Sequence, residues 1–167
     1  MTYLTEHLNS VHDRKDFCCG KAMLDDYLHK QANQDIKRKL AACFVLTDSE
    51  TKQVKAYYTL SNSSIPLELI PEKSKKHLPK SYHSIPTTLL GRLAIDTHFQ
   101  GMKYGKLLLI DALKRSFDLS KNIGSFAVVV DPLDDAAKSF YTKYGFILLP
   151  DSGKMFLAMN TIKQLFE

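Results

Sequence analysis

The chain has 167 residues, of which 44% are hydrophobic and 25% charged, and its formal net charge is +5 with a pI near 9.0. This length suits a single domain over residues 1–167, and the composition excludes the disordered and fibrous classes of protein. No run approaches the roughly 18 apolar residues of a membrane-spanning helix, and residues 1–6 lack the basic and apolar regions of a secretory signal, so we expect a cytoplasmic protein that contacts no membrane.

The first half of the chain predicts a short strand, helices and an antiparallel hairpin. Helical spacing of apolar residues dominates the first forty residues. Residues 42–46 and 54–61 are rich in β-forming residues, and the short polar turn between them predicts a hairpin. Residues 65–87 hold four of the six prolines and four lysines, which predicts a surface excursion with one short helix. An apolar strand is predicted over residues 88–96.

Helices and strands alternate in the second half. Residues 105–119 predict a helix with one apolar face, and residues 125–131 a valine-rich strand. Asp134 or Asp135 can cap a helix over residues 136–144. The chain then closes with Gly145 as a left-handed helix end, strands over residues 146–149 and 154–160, and a short terminal helix. This order predicts an α/β fold with a mixed, mostly antiparallel central sheet and helices on both faces.

The cysteines and histidines show no metal-binding pattern. Cys18, Cys19 and Cys43 lack the CxxC spacing, and none of the six histidines forms HExxH. We therefore expect no metal site, and free, mostly buried thiols in a reducing compartment.

The strand–loop–helix unit over residues 89–119 carries the first chemical signal. Free amides at a helix N-terminus, with the positive end of the helix dipole, bind phosphate. Gly101 and Gly105 let the backbone approach an anion closely, while Lys103 and Lys106 add positive charge. Neither GxGxxG nor GxxxxGK[ST] is present, so a pyrophosphate site and an ordinary tight connection both remain open.

The segment over residues 134–146 is ambiguous when it is taken alone. It reads as a capped amphipathic helix with Phe140 and Tyr144 as core aromatics and Tyr141 as an ordinary boundary residue.

Together the two segments resemble the GNAT acetyltransferase superfamily, and the order of elements over residues 40–160 matches as well. The family's motif A, Q/R-x-x-G-x-G/A, corresponds here to Gln100-Gly101-Met102-Lys103-Tyr104-Gly105. Its motif B, N-x-x-A-x-x-x-Y before G-F, corresponds to Asp134, Ala137 and Tyr141, followed by Gly145-Phe146.

Two residues depart from the family pattern. Lys103 stands at the position of the central glycine; if that position needs a positive φ, lysine costs about 1 kcal/mol, which contact of its ammonium with the pyrophosphate would offset. Asp134 stands where asparagine is common.

The resemblance implies acetyl-CoA as cofactor and direct acetyl transfer to an amine. Backbone amides of residues 93–95 would face the pantetheine and the carbonyl, and Tyr141 matches the family's general acid, which protonates the departing thiolate. No general base is evident, which favours an α-amine, with a pKa of about 7.7–8.0, over a lysine amine. The cofactor-binding residues implied are Leu93, Ala94, Ile95, Gln100, Gly101, Met102, Lys103, Tyr104, Gly105, Lys106, Asp134, Ala137 and Phe140.

A finer resemblance points to the GNAT toxins of bacterial toxin–antitoxin modules. Those enzymes acetylate the α-amine of the amino acid on charged tRNA and block translation, and their usual partner is a ribbon-helix-helix antitoxin. The resemblance thus implies aminoacyl-tRNA and an antitoxin as partners. It is carried by residues 17–28, 57–61, 90–96, 111–113 and 129–131.

Basic clusters fit an RNA substrate, which needs cations along its phosphates. Lys37, Arg38, Lys39 and Arg92 are the candidates for the tRNA-facing surface, although lysine-rich segments are also ordinary solvated faces. Two other functions remain open: a GNAT enzyme acting on a small-molecule amine or a protein N-terminus, and a non-catalytic module that keeps the fold. The sequence also leaves open which tRNA is recognised and whether the chain forms a homodimer.

Overall fold

The structure is a computed structural model that describes residues 2–167. Met1, which belongs to the segment tested for a secretory signal, lies outside the described residues. The chain divides into two compact units: unit 1 contains the chain up to Ser61 together with Leu90–Arg115, and unit 2 contains Asn62–Leu89 and Ser116–Glu167. One domain over residues 1–167 stays a prediction. Within residues 2–167, no helix has the length and apolar character needed to cross a membrane.

Unit 1 holds the predicted hairpin and the first helices. Strand β1 pairs antiparallel with β2, and β2 pairs antiparallel with β3, which confirms the hairpin. The elements in chain order are β1 (Glu6–His7), α1 (Ala22–Asp26), a π-helical turn (Tyr27–Gln31), α2 (Ala32–Lys37), β2 (Ala42–Thr47), the first part of β3 (Val54–Pro66), the last part of β4 (Ser84–Ile95), a 3-10 turn (Thr97–Phe99) and the first part of α4 (Tyr104–Ser120).

Unit 2 holds the alternating strands and helices. Its elements are the end of β3, a 3-10 turn (Leu67–Leu69), α3 (Glu72–Lys75), the first part of β4, the end of α4, β5 (Ala127–Val130), α5 (Asp135–Lys143), β6 (Ile147–Leu148), β7 (Met155–Ala158) and α6 (Met159–Lys163). Strand β5 pairs parallel with β4 and antiparallel with β7, and β6 pairs antiparallel with β7. The strand order is β1-β2-β3-β4-β5-β7-β6. The predicted α/β fold with a mixed, mostly antiparallel sheet is confirmed.

The segment between β3 and β4 is only partly the surface excursion that its prolines predict. Its short helix, α3, is confirmed. However, β3 extends to Pro66 and β4 begins at Ser84, so the excursion is shorter than predicted. Ile70, near its start, is buried in the apolar core of unit 2 together with Ile65 and Ile85. Burial of this apolar side chain is the reason why the start of the segment turns inward, while residues 71–83 stay partly or fully exposed.

A buried carboxylate ties the N-terminal segment to α4 within unit 1. Asp111 accepts hydrogen bonds from the Leu4 N–H at 2.7 Å, the Thr5 hydroxyl at 2.5 Å and the Tyr58 hydroxyl at 2.8 Å. Arg115 donates to the Thr5 carbonyl at 2.6 Å. Because buried charges need such partners, the cluster fixes the first three turns of α4, the helix whose N-terminus follows the glycine-containing loop.

Candidate functional site

The loop between β4 and α4 presents exposed backbone in front of a helix N-terminus. Gly101 has a φ of 80° and Lys103 a φ of 65°, and residues 100–103 are exposed. The Leu107 N–H donates to the Lys103 carbonyl at 3.2 Å, so the helix begins directly after the loop, and its first amides have no partner within the helix. A Cβ added at Gly101 would meet no heavy atom within 4 Å. The loop therefore has room for an anion at the positive end of the helix dipole.

Lys103 has the left-handed conformation that favours glycine. For a lysine this conformation costs about 1 kcal/mol relative to ordinary backbone. Lys103 and Lys106 are both exposed, and both lie at the start of the 17-residue helix α4. The pair therefore adds two positive charges to the place where the dipole already favours an anion, and the residues present fit a pyrophosphate group.

The side chain of Gln100 stabilises the start of this loop. Its side-chain Nε2 donates to the Cys19 carbonyl at 2.9 Å and to the Ile95 carbonyl at 2.8 Å. Beside it, Phe99 packs edge-on against Tyr104, with ring centroids 6.0 Å apart. Both donor hydrogens of the Gln100 amide are thus used inside the protein, and its predicted contact with a cofactor stays a prediction.

A buried carboxylate that the sequence did not single out precedes the loop. Asp96 is 4% exposed; its Oδ1 accepts the His98 N–H at 2.9 Å and lies 2.7 Å from the His98 Nδ1, and its Oδ2 accepts the Cys18 N–H at 3.1 Å. Burial by itself would raise the pKa of Asp96, but these bonds outweigh it and hold the pKa below its ordinary value. An aspartate between a strand and a turn is the available sequence signal, because it is a preferred capping residue.

The end of β4 carries the predicted backbone donors. The parallel ladder with β5 ends at Leu89 and Val129. Leu93, Ala94 and Ile95 lie beyond the end of that ladder, on the last residues of β4. Their contact with the pantetheine stays a prediction.

Helix α5 in unit 2 has the two defined ends that the sequence predicts. The Asp134 Oδ1 accepts the Ala137 N–H at 2.8 Å and caps the N-terminus. At the other end Gly145 has a φ of 92°, and the Phe146 N–H donates to the Tyr141 carbonyl at 3.1 Å, as in a Schellman motif. Tyr141 is therefore held at a fixed place by both helix ends.

Tyr141 is the buried aromatic residue of α5. Its side chain is 8% exposed, and its ring centroid lies 5.2 Å from those of both Phe140 and Phe146. Phe140 and Tyr144, which the apolar pattern alone predicts as the core residues, are only half-buried, so that interpretation is wrong. Burial raises the pKa of Tyr141 above its ordinary value. The hydroxyl therefore stays protonated at neutral pH, as a general acid requires.

The predicted basic residues fall into two kinds. Residues 37–39 are exposed at the C-terminal end of α2, where cations also stabilise the helix dipole. Arg92 is half-buried, and its guanidinium carbon lies 3.5 Å from the centroid of the Tyr27 ring. Only the first kind has the exposure expected of a direct phosphate contact.

The predicted site residues are divided between the two units. Unit 1 contains Arg92, residues 37–39, residues 93–95 and the loop over residues 100–106, and unit 2 contains Asp134, Ala137, Phe140 and Tyr141.

Comparison with known proteins places this arrangement in a family. The model of the acetyltransferase (GNAT) family matches residues 71–146. The probable toxin TacT of Sinorhizobium fredii is 32% identical over 162 residues, which cover 92% of this chain and 89% of that protein. The tRNA-acetylating toxin of Mycobacterium tuberculosis is 31% identical over 159 residues, which cover 95% of this chain and 93% of that protein.

Solved structures show the same similarity. AtaT complexed with acetyl-methionyl-tRNAfMet superposes with a TM-score of 0.89 at 28% identity, over 98% of both chains. A Tyr-to-Phe mutant of AtaT, bound to the C-terminus of the antitoxin AtaR and to acetyl-CoA, has a TM-score of 0.82 at 26% identity, over 97% of this chain and 96% of that chain.

Proposed function

Because this chain belongs to the acetyltransferase (GNAT) family, it is an acetyltransferase that uses acetyl-CoA, and we propose that it acetylates the α-amine of the amino acid carried by a charged tRNA. In this proposal it is the toxin of a toxin–antitoxin pair and blocks translation. The observation that carries the proposal is similarity to tRNA-acetylating toxins along nearly the whole chain, with 93% of the Mycobacterium tuberculosis protein covered.

The loop and the start of α4 would hold the cofactor's pyrophosphate. The first-turn amides would donate to its oxygens, with Lys103 and Lys106 adding charge. Acetyl-CoA, when bound, supplies the acetyl group as a thioester. The backbone amides of residues 93–95 would donate to the pantetheine and to the carbonyl oxygen, where negative charge develops during transfer.

Tyr141 would supply the proton that the departing sulfur needs. Its raised pKa keeps the hydroxyl protonated over the whole neutral range. The acceptor amine must be neutral to attack. An α-amine with a pKa of about 7.7–8.0 is partly neutral at physiological pH, whereas a lysine amine near 10.4 is not, so a site without a strong base suits the amino acid of a charged tRNA.

The test compares Tyr141→Phe with Tyr144→Phe. Each removes one hydroxyl, Tyr141 from α5 and Tyr144 from the residue directly after it, but Tyr144 is half-buried and has no assigned role. With wild-type protein, we expect transfer of radiolabelled acetyl groups to charged tRNA but not to uncharged tRNA. Tyr141→Phe should lower kcat by about a hundredfold or more, with acetyl-CoA binding by calorimetry within about twofold of wild type. Tyr144→Phe should keep wild-type kcat.

Expression in bacteria gives the corresponding readout in the cell. Wild-type protein and Tyr144→Phe should arrest translation, and Tyr141→Phe should not. A kcat of Tyr141→Phe within about threefold of wild type would show that Tyr141 is not the acid. Acetylation of a small amine or a protein N-terminus, with none of charged tRNA, would overturn the proposed substrate.

The proposal includes a partner and a location. A ribbon-helix-helix antitoxin would neutralise the protein, which is supported by the AtaT structure that contains the C-terminus of AtaR. Co-expression of such an antitoxin should relieve the arrest. The place of action would be the cytoplasm, where charged tRNA is used.

A further inference from the structure

Arg92 is part of an aromatic stack inside unit 1. Its guanidinium lies over the Tyr27 ring, with 3.5 Å between the guanidinium carbon and the ring centroid. The Tyr27 ring stacks on Tyr57 at 6.3 Å with 14° between their planes, and the Tyr57 hydroxyl donates to the Leu24 carbonyl at 2.6 Å. Because a guanidinium stacks on a ring through its plane, this contact depends on arginine and not on charge alone.

The other end of Tyr27 reaches the helix that carries the basic residues. The Tyr27 hydroxyl donates to the Asp35 Oδ2 at 2.9 Å. Burial, and then this bond to Asp35, raise the pKa of Tyr27, so the hydroxyl remains a donor. The Asp35 carbonyl accepts the Leu40 N–H at 2.9 Å, while Lys39 between them has a φ of 60°. Asp35 thus contacts Tyr27 through its side chain and the turn around Lys39 through its backbone.

The helix changes its hydrogen-bonding pattern at Tyr27. The turn over Tyr27–Gln31 is π-helical, with the Ala32 N–H bonded to the Tyr27 carbonyl. A π-helical turn is rare, costs regular helix geometry and is frequent at functional sites. Here it sets the direction in which α2 leaves Tyr27, and therefore where the exposed residues 37–39 lie.

We propose that Arg92, Tyr27 and Asp35 form a relay that positions residues 37–39 for the phosphates of charged tRNA, with Arg92 acting through Tyr27 and not by touching a phosphate. This inference rests on the proposed tRNA substrate. It assigns different roles to basic residues that the sequence grouped together: Lys37, Arg38 and Lys39 contact RNA, and Arg92 is a positioning residue that links their helix to β4.

The first part of the test needs no tRNA. Tyr27→Phe keeps the ring beneath the guanidinium and removes only the bond to Asp35; Tyr82→Phe makes the same change at an exposed tyrosine of unit 2. Hydrogen exchange should become about fivefold faster at the amides of α2 in Tyr27→Phe, as expected for the loss of one hydrogen bond. Amides in the middle of α4, and all amides of Tyr82→Phe, should exchange as in wild type.

The second part separates positioning from phosphate contact by salt dependence. Tyr27→Phe and Arg92→Gln should raise KM for charged tRNA about fivefold, with kcat and acetyl-CoA affinity within about twofold of wild type. The slope of log binding constant against log salt should stay at the wild-type value in both variants. Lys37→Gln, which removes one positive charge as Arg92→Gln does, should make that slope less steep by about 0.7 to 0.9.

Each outcome decides a separate point. If the salt slope of Arg92→Gln is less steep by the same amount as that of Lys37→Gln, Arg92 contacts a phosphate directly, and the relay is overturned. Unchanged KM in Tyr27→Phe, or an equal loss of acetyl-CoA affinity, would also overturn it. Wild-type protein that acetylates no charged tRNA would overturn the proposed function, and with it the tRNA-facing role of residues 37–39. The coupling of Tyr27 to α2 is then decided by hydrogen exchange alone, which supports it if α2 loosens and refutes it if α2 does not.

Discussion

Lys103 combines two opposite effects that substitution can separate. Its φ of 65° costs about 1 kcal/mol for a residue with a Cβ. Lys103→Gly removes this strain and should stabilise the protein by about 1 kcal/mol, which for a chain of this size raises Tm by about 2–4 °C. The same change removes an ammonium from the start of α4. An exposed ion pair contributes little, so acetyl-CoA should bind only about two- to fivefold more weakly.

Two further variants isolate the effects. Lys103→Gln loses the charge but keeps the strain, so Tm should stay near wild type while Kd for acetyl-CoA rises as in Lys103→Gly. Lys52 has a φ of 62° in the turn between β2 and β3, and Lys52→Gly should raise Tm equally without changing Kd. Thermal unfolding and calorimetry measure both quantities. Tighter binding by Lys103→Gly, together with unchanged binding by Lys103→Gln, would refute the view that the ammonium offsets the strain.

Two predictions concern pH. The value of kcat/KM for charged tRNA should rise as the α-amine loses its proton near pH 7.7–8.0. Because burial raises the pKa of Tyr141, deprotonation of this residue should cause no fall in kcat/KM below about pH 10. A fall near pH 9 in the wild-type profile that is absent in Tyr141→Phe would contradict this. Asp96 has a lowered pKa when folded, so its charge stabilises the fold above its unfolded value of about 3.9, and this stabilisation is lost as the pH falls below that value. Asp96→Asn should thus lower the free energy of unfolding in urea at pH 7 but much less at pH 3, and an equal loss at both would contradict a role for the charge.

The parts of the fold that the sequence predicts well are those that neighbouring residues determine. The hairpin of β2 and β3 follows from two apolar runs and a polar turn, and both ends of α5 follow from Asp134 and Gly145. The excursion between β3 and β4 is predicted only in part, because its prolines and lysines mark a surface locally, whereas Ile70 is drawn inward by apolar residues distant in the chain. Tyr141 is a different case: Phe140, Tyr141 and Tyr144 are neighbouring aromatic positions, and their pattern alone does not show that the Tyr141 ring is the buried one, packed against both Phe140 and Phe146.

The functional site shows the same contrast between features set by neighbouring residues and features set by residues distant in the chain. The motif marks Gln100 as a candidate contact for the cofactor. Whether the N–H groups of its side-chain amide point to a ligand or into the protein depends on the Cys19 carbonyl, which is 81 residues away in the sequence. Those donors point inward, so the glutamine is explained by the loop's own stability without any cofactor. Lys103 shares its positive φ with Lys52, but Lys103 lies directly before a long helix and close to Gly101, where the space is open. Backbone strain kept next to open space at a helix N-terminus is the feature of this loop that argues most directly for an anionic ligand.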